Sequence, residues 1–286
     1  MPLLSKYGSV APEGVGKLLL EREEVNSHQP ENEGRTPPSH EAQAGFEGAV
    51  EMVLDREEFN PDKPDNEGRT PLPRAAESGL EGAVKVLLGQ EEVDPDKPDN
   101  DGRTPLSQAT RNKYGSVAAE GLLKFVLERE VVSSDQPDNE GRTPLSHAAE
   151  AELEGVVKML HDWEEVSPHK PDNEGRTPLW YAVGNVGNWH YSVPTERMVK
   201  LLLDPEDVNP DRADNRGRPP LSCASKAGFD TIVKMLLERE EVNPDKPDNE
   251  GRTPLWYAVG NRHNRTAGQV KLLLGREGVS SHKPEK

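Results

Sequence analysis

A five-residue motif, Gly-Arg-Thr-Pro-Leu or a one-residue variant of it, begins at Gly34, Gly68, Gly102, Gly141, Gly175, Gly217 and Gly251. The intervals are 34, 34, 39, 34, 42 and 34 residues. A near-constant period of this length marks a stack of small units, each burying its apolar face only against its neighbours. The copies are close: residues 166–185 and 242–261 match at 18 of 20 positions, differing only at Ser167/Asn243 and His169/Asp245. That pair lies two repeats apart, which points to duplication of a two-repeat block.

Periodicity also resolves a composition that otherwise resembles a disordered chain. With 28 Leu, 25 Val, 4 Phe and Ile232, only 58 of 286 residues are large aliphatics or Phe, and the net charge is −17. So few could not fill one large globular core. Distributed over eight helix pairs they come to about seven per pair, enough when each pair packs only on its neighbours. The acidic balance disfavours nucleic acid, whose phosphates attract clustered Lys and Arg. No apolar run approaches the length that spans a bilayer, so no membrane contact is expected. Cys223 is the single cysteine, so no internal disulfide framework forms. The expected setting is cytoplasmic, with the nucleus open.

Each period reads as turn, short helix, turn, second helix. In Asp65-Asn66-Glu67-Gly68 the Asp and Asn favour a tight turn and Gly supplies a positive φ. Thr70 suits an N-cap and Pro71 the first helical position. Ala75 and Ala76 let neighbouring helices approach. Second helices carry an apolar triplet at i, i+3 and i+4: Val50/Val53/Leu54, Val84/Leu87/Leu88, Leu123/Val126/Leu127, Val199/Leu202/Leu203, Val233/Leu236/Leu237 and Val270/Leu273/Leu274. Repeat four departs, with His161 after Val157 and Leu160. A Pro-rich extended segment such as Asn60-Pro61-Asp62-Lys63-Pro64 links each helix to the next turn.

The pattern Asp-x-x-Gly-x-Thr-Pro-Leu-x-x-Ala-Ala, followed by Val-Val-x-x-Leu-Leu, resembles the ankyrin repeat over essentially the whole chain. The resemblance implies an all-α ankyrin-repeat solenoid of about eight stacked helix-turn-helix units with short hairpin-like fingers. A single domain over residues 1–286 is expected, with repeats at 1–33 (partial), 34–67, 68–101, 102–140, 141–174, 175–216, 217–250 and 251–286. Two departures stand out. The His usually following Thr-Pro-Leu is replaced by Ser39, Pro73, Ser107, Ser146, Trp180, Ser222 or Trp256. The usual Gly-Ala-Asp-Val-Asn has become Glu-Arg-Glu-Glu-Val-Asn, as at 238–243, which removes a glycine helix stop. The near-identical copies resemble the ankyrin tracts of fungal multidomain receptor-like proteins.

That resemblance implies a protein-binding scaffold acting through its concave face, fingers and long inter-helix loops. An alternative is the ligand-sensing repeat region of a larger intracellular, NLR-like signalling receptor. Finger tips are the family's usual contact positions, and here they carry an aligned row that includes Arg69, Arg103, Arg142 and Arg176. Those arginines either face an acidic partner or pair with the adjacent Asp and Glu. Insertions lengthen repeats three, five and seven between their two helices. The loop of repeat five carries Trp189, His190 and Tyr191, and Trp180, Tyr181, Trp256 and Tyr257 open the first helices of repeats five and seven. Trp and Tyr dominate binding hot spots, though these four also suit packing. The acidic charge favours basic protein partners. Leu272, Leu273 and Leu274 read like an interior repeat rather than a polar cap, so the array is expected to continue or to meet another chain there.

No cofactor, metal or catalytic role is expected. The eight His show no ligand spacing. Gly14-Val15-Gly16-Lys17 lacks the first Gly and the Ser or Thr of a phosphate loop. The acidic fingers fail as calcium loops, because Lys63 and Arg74 fall where carboxylates are required.

Overall fold

The computed structural model describes residues 60–77, 80–111, 120, 123–124, 133–184, 196–204, 208–260 and 266–275. The opening repeat, most of the second, and the 185–195 segment with Trp189, His190 and Tyr191 lie outside these residues. The chain forms two compact units, Met1–Asn139 and Glu140–Lys286. The first holds α1 (Pro71–Glu77), α2 (Glu81–Leu88) and α3 (Pro105–Arg111), with α1 packed on both others. In the second, α4 (Pro144–Glu150), α6 (Pro178–Gly184), α8 (Pro220–Ala227) and α10 (Pro254–Gly260) form an inner row, each touching the next. Their partners α5 (Glu154–His161), α7 (Glu196–Leu203), α9 (Asp230–Leu237) and α11 (Thr266–Leu274) form the outer row. No strand occurs among the described residues.

Two-turn helices are too short to persist alone in water, so stacking must hold them. Local signals still set their ends. Thr104 and Thr143 each accept a hydrogen bond from the backbone N–H three residues on, at 3.2 Å, and proline follows at the first helical position. The inner helix α6 lies between α4 and α8, so every residue from Pro178 to Val183 is buried. Outer helices are amphipathic: in α5, Val156, Val157 and Leu160 are buried while Lys158 is exposed. The predicted triplets hold at their first two positions in α2, α7 and α9, but not uniformly at the third. Leu88 and Leu203 are buried, Leu237 is half-buried and Leu274 is exposed. Position i+4 lies at the edge of the apolar stripe. His161 sits there too, its side chain 18% exposed with Nδ1 3.5 Å from Asp162. The missing glycine stop is visible: α5 and α9 end at Asp162 and Glu238 in right-handed conformation.

Each finger is a tight turn closed by two backbone bonds. In the first, Asp65 N–H donates to Arg69 O at 2.9 Å and Gly68 N–H donates to Asp65 O at 3.0 Å. The turn glycines have φ between 76° and 80°, a region other residues enter at a cost. A ladder then joins successive fingers. Within the first unit, Asn100 N–H donates to Glu67 O at 3.0 Å and Asn139 N–H to Asp101 O at 2.9 Å. Within the second, Asn173, Asn215 and Asn249 donate to Glu140 O, Glu174 O and Arg216 O at 2.9, 2.7 and 3.0 Å. The same asparagine side chains donate a second bond to the preceding finger, as Asn215 Nδ2 to Asn173 O at 3.0 Å. A second rung runs through the linkers, where Lys97 Nζ meets Asp62 at 2.6 Å and Lys246 Nζ meets Asp211 at 3.0 Å.

The ladder makes a differential prediction. A Cβ on Gly217 would stand 2.5 Å from Asn249 Oδ1 and 2.8 Å from its backbone N, whereas one on Gly251 meets nothing within 4 Å. Both glycines have the same positive φ, which costs a non-glycine residue about 1–2 kcal/mol. Gly217→Ala should therefore lose a further ~1–3 kcal/mol from overpacking against the next finger. Urea unfolding of the two variants checks this; equal losses would show that the fingers do not press together.

Candidate functional site

The finger aspartate is the organising group of each repeat. Its Oδ1 accepts two backbone bonds, as Asp172 does from Glu174 N–H and Arg176 N–H at 2.9 and 2.8 Å. Its Oδ2 accepts from the side chain nine residues on. That donor is Arg74 for Asp65 (2.6 Å), Gln108 for Asp99 (2.7 Å), Tyr181 for Asp172 and Tyr257 for Asp248 (both 2.6 Å). In repeat six Cys223 takes the ninth position, and Arg218 supplies both contacts to Asp214 Oδ2, at 2.9 and 2.5 Å.

The arginines are committed locally. Arg69 pairs with Glu67, Arg103 with Asp101 at 2.5 Å, and Arg142 with Glu140 at 3.2 Å. Arg176 Nε meets Asp172 at 2.8 Å, as Arg252 Nε meets Asp248. All are largely buried along their stems. Arg176 also lies over the rings of Trp180 and Tyr181, at 5.6 and 5.0 Å. Each guanidinium thus closes its own finger, and Arg176 and Arg252 also stack on the aromatics behind them, a cation–π contact.

The two aromatic pairs have the same sequence and different fates. Trp180 is 8% exposed and Val183 0%, because α8 packs over them and Arg218 lies 5.3 Å from the Trp180 ring. Their counterparts Trp256 and Val259 are 43% and 65% exposed. Tyr181 and Tyr257 are both buried. Between α6, α8 and α10 lies a cavity of about 190 Å³ lined by Trp180, Arg218, Ser222, Cys223, Lys226 and Tyr257. An open groove of about 530 Å³ crosses the outer helices α5, α7 and α9, and its rim mixes both signs of charge.

Burial and the bond to Asp248 push the Tyr257 hydroxyl well above its ordinary pKa. Burial opposes ionisation of Asp248, but the Tyr257 hydroxyl, Arg252 and the Glu250 N–H outweigh it and hold the carboxyl below its usual range. Burial pushes the Cys223 thiol up to about 12, so it is a neutral, poorly nucleophilic group at pH 7.

The family described as ankyrin repeats (3 copies) matches residues 6–99, 116–191 and 189–282. The chain belongs to the ankyrin-repeat family. It is also similar to the crystal structure of the ankyrin repeat domain of Bcl-3, described as a unique member of the IkappaB protein family. That match has a TM-score of 0.63 and 23% identity, and covers 85% of this chain and 100% of that one. At this identity it speaks to the fold. No curated protein matches. Ankyrin repeats are protein–protein interaction modules. Among the described residues no helix is long and apolar enough to cross a membrane, and no group of three or more His, Cys, Asp or Glu is placed to hold a metal.

At the position of the family histidine, serine contacts the capping threonine in two repeats. Ser107 and Ser146 lie 3.3 and 3.2 Å from the Thr104 and Thr143 hydroxyls. Sequence reading missed the ninth-position donors because Arg, Gln and Tyr share no residue type. Their fixed offset from the finger Asp was the available signal.

The Tyr257–Asp248 pair predicts the alkaline limb of stability. A phenol whose folded pKa is raised contributes stability that is complete below about pH 10, the unfolded value, and is lost as pH rises above it. Tyr257→Phe should flatten part of that alkaline decline. It should also cost ~1–3 kcal/mol near pH 7 by removing a donor from Asp248. Melting midpoints across pH 7 to about 11 check both; an unchanged alkaline slope contradicts the assignment.

Proposed function

We propose that the protein is a binding scaffold that engages a partner protein through the inner helix face and fingers of residues 140–286, together with Trp189, His190 and Tyr191 of the inserted segment. One observation carries this reading. Trp256 and Val259 form an exposed apolar patch on α10, while the same residues in the near-identical repeat are covered. The two helices share their sequence, so the difference in exposure follows from what packs on each, and an exposed Trp is the side chain that contributes most to binding hot spots. Tyr257 braces the Trp256 ring edge-on at 5.2 Å, and Arg252 lies 5.4 Å over it, so the indole is held in place before a partner arrives. Preorganisation of this kind reduces the entropy lost on binding. Trp189, His190 and Tyr191 add contact area from the loop that follows Gly184, and Trp180 and Tyr181 shape the face beneath. Arg142 and Arg176 set the shape of the fingers in that unit, as Arg69 and Arg103 do for the fingers of the first unit. The net charge of −17 speeds encounter with basic partners. A lone buried Cys223 suits a reducing, cytoplasmic setting.

The same free face favours a second reading, in which a further ankyrin-type repeat covers α10 as α8 covers α6. The chain would then belong to the sensing region of a larger receptor-like array.

Trp256→Ala should weaken partner binding at least tenfold, the ~1.4 kcal/mol or more expected of a hot-spot residue. Its melting midpoint should stay within about 3 °C of the parent's, as expected for a surface change of well under 1 kcal/mol. Full affinity in a protein carrying both Trp256→Ala and a deletion of 185–195 would overturn the proposal.

A further inference from the structure

Repeat seven presents a surface that the chain itself covers in repeat five. The two repeats share the inner-helix sequence Pro-Leu-Trp-Tyr-Ala-Val-Gly and the finger Asp-Asn-Glu-Gly-Arg before it. In repeat five that surface is occupied, so its complement is known. Asn215 N–H donates to Glu174 O at 2.7 Å, and its Nδ2 donates to Asn173 O at 3.0 Å. Arg218, three residues on, lies 5.3 Å from the centre of the Trp180 ring, and α8 packs beside it on α6.

In repeat seven the same groups are open. Neither Glu250 O nor Asn249 O accepts a hydrogen bond among the described residues. A Cβ on Gly251 would meet nothing within 4 Å, where one on Gly175 would stand 2.8 Å from Asn215 Oδ1. The finger is nevertheless already in shape, with φ 77° at Gly251 against 80° at Gly175. Trp256, Val259 and Leu274 are the exposed large apolar residues among the described ones, and their counterparts Trp180, Val183 and Leu203 are buried. Two free carbonyl oxygens, a gap beside a glycine and an open indole face thus lie together on the side of repeat seven that no described repeat covers.

This combination selects its ligand. Carbonyl oxygens require donors, and covering them with an apolar surface alone would strip their water without replacement. The indole face attracts a cation. An acidic segment would meet the carbonyl oxygens and the Glu250 carboxylate, whereas a basic one suits a chain of net charge −17. A second copy of the chain has no such group to offer from its described fingers. Asn100, Asn139, Asn173, Asn215 and Asn249 are each spent on the preceding finger.

We propose that the partner protein docks on this face with a turn of the Asp-Asn-x-Gly-Arg type, its Asn bonding Glu250 O and Asn249 O and its Arg lying over the Trp256 ring. The inference rests on the partner-binding reading above and names the element through which the partner, a separate chain of different sequence, is held.

Loop selection on the full chain tests it. A displayed library of random disulfide-closed loops is panned on the intact protein, and enriched loops are measured by titration calorimetry. The expected loops share an Asn followed three residues later by Arg. Changing that Asn to Asp, or that Arg to Gln, weakens binding roughly three- to tenfold. The segment 209–220, closed in the same carrier, binds as well, because it holds the turn that covers repeat five. All of this binding falls at least tenfold in Trp256→Ala, whose melting midpoint is unchanged. Enriched loops without the Asn and Arg, or loops that bind Trp256→Ala as tightly as the parent, overturn the turn inference and leave the scaffold reading intact. Self-association of the parent that Trp256→Ala abolishes also overturns it, by making a second copy the occupant. A library that yields no binder overturns both readings.

Discussion

The finger-to-finger hydrogen bond is the contact on which the rest of the structure depends. Its donor is the backbone N–H of an asparagine, its acceptor a carbonyl on the preceding finger, and the asparagine side chain adds a second bond beside it. The close approach requires glycine opposite, where a Cβ would fall within 3 Å of the incoming asparagine. Once fingers are held at that separation, two-turn helices that could not persist alone lie close enough to bury one another. Inner helices become almost wholly buried, and outer ones need only a narrow apolar stripe. This is how so few aliphatic residues suffice.

Ionic groups serve the same end. A finger aspartate that accepts two backbone bonds and one or two side-chain bonds is fully used inside its own turn. The arginine four residues on completes the turn, and in repeats five and seven it also lies over the aromatics behind it. The acid–base pairs therefore close each finger on itself, and a few places among the described residues depart from the rule the repeat sets. Repeat six is one such place, with Pro219 where other repeats have the capping threonine and Cys223 at the ninth position. The free face of α10 is the other.

Much of this was legible in the sequence. Gly68, Gly102, Gly175 and Gly217 sit at positive φ, as a turn glycine after Asp-Asn should. Thr143 caps its helix and Pro144 begins it. The second helices α2, α7 and α9 bury the first two residues of their apolar triplets, whereas in α11 Val270 is only half-buried. What the sequence could not show follows from contacts between repeats. Trp180 and Trp256 stand in the same local sequence, and only the presence of α8 over one of them separates buried from exposed. The asparagine rungs join residues 34 to 42 positions apart, beyond any local pattern. Cys223 read as a lone thiol, because only comparison with the side chains at the same offset in other repeats shows that it does not reach its finger aspartate.

Native-state hydrogen exchange at the finger amides tests the ladder most directly. The N–H groups of Asn173, Asn215 and Asn249 lie in exposed turns, so local flexibility alone would let them exchange quickly. If the rungs hold the stack together, these amides are protected to the level of the inner-helix amides, such as Tyr181 N–H on Thr177 O, and exchange only when neighbouring repeats separate. Exchange at the rate of the adjoining exposed turn residues would show that helix packing alone supports the array, and the account would fail at its foundation.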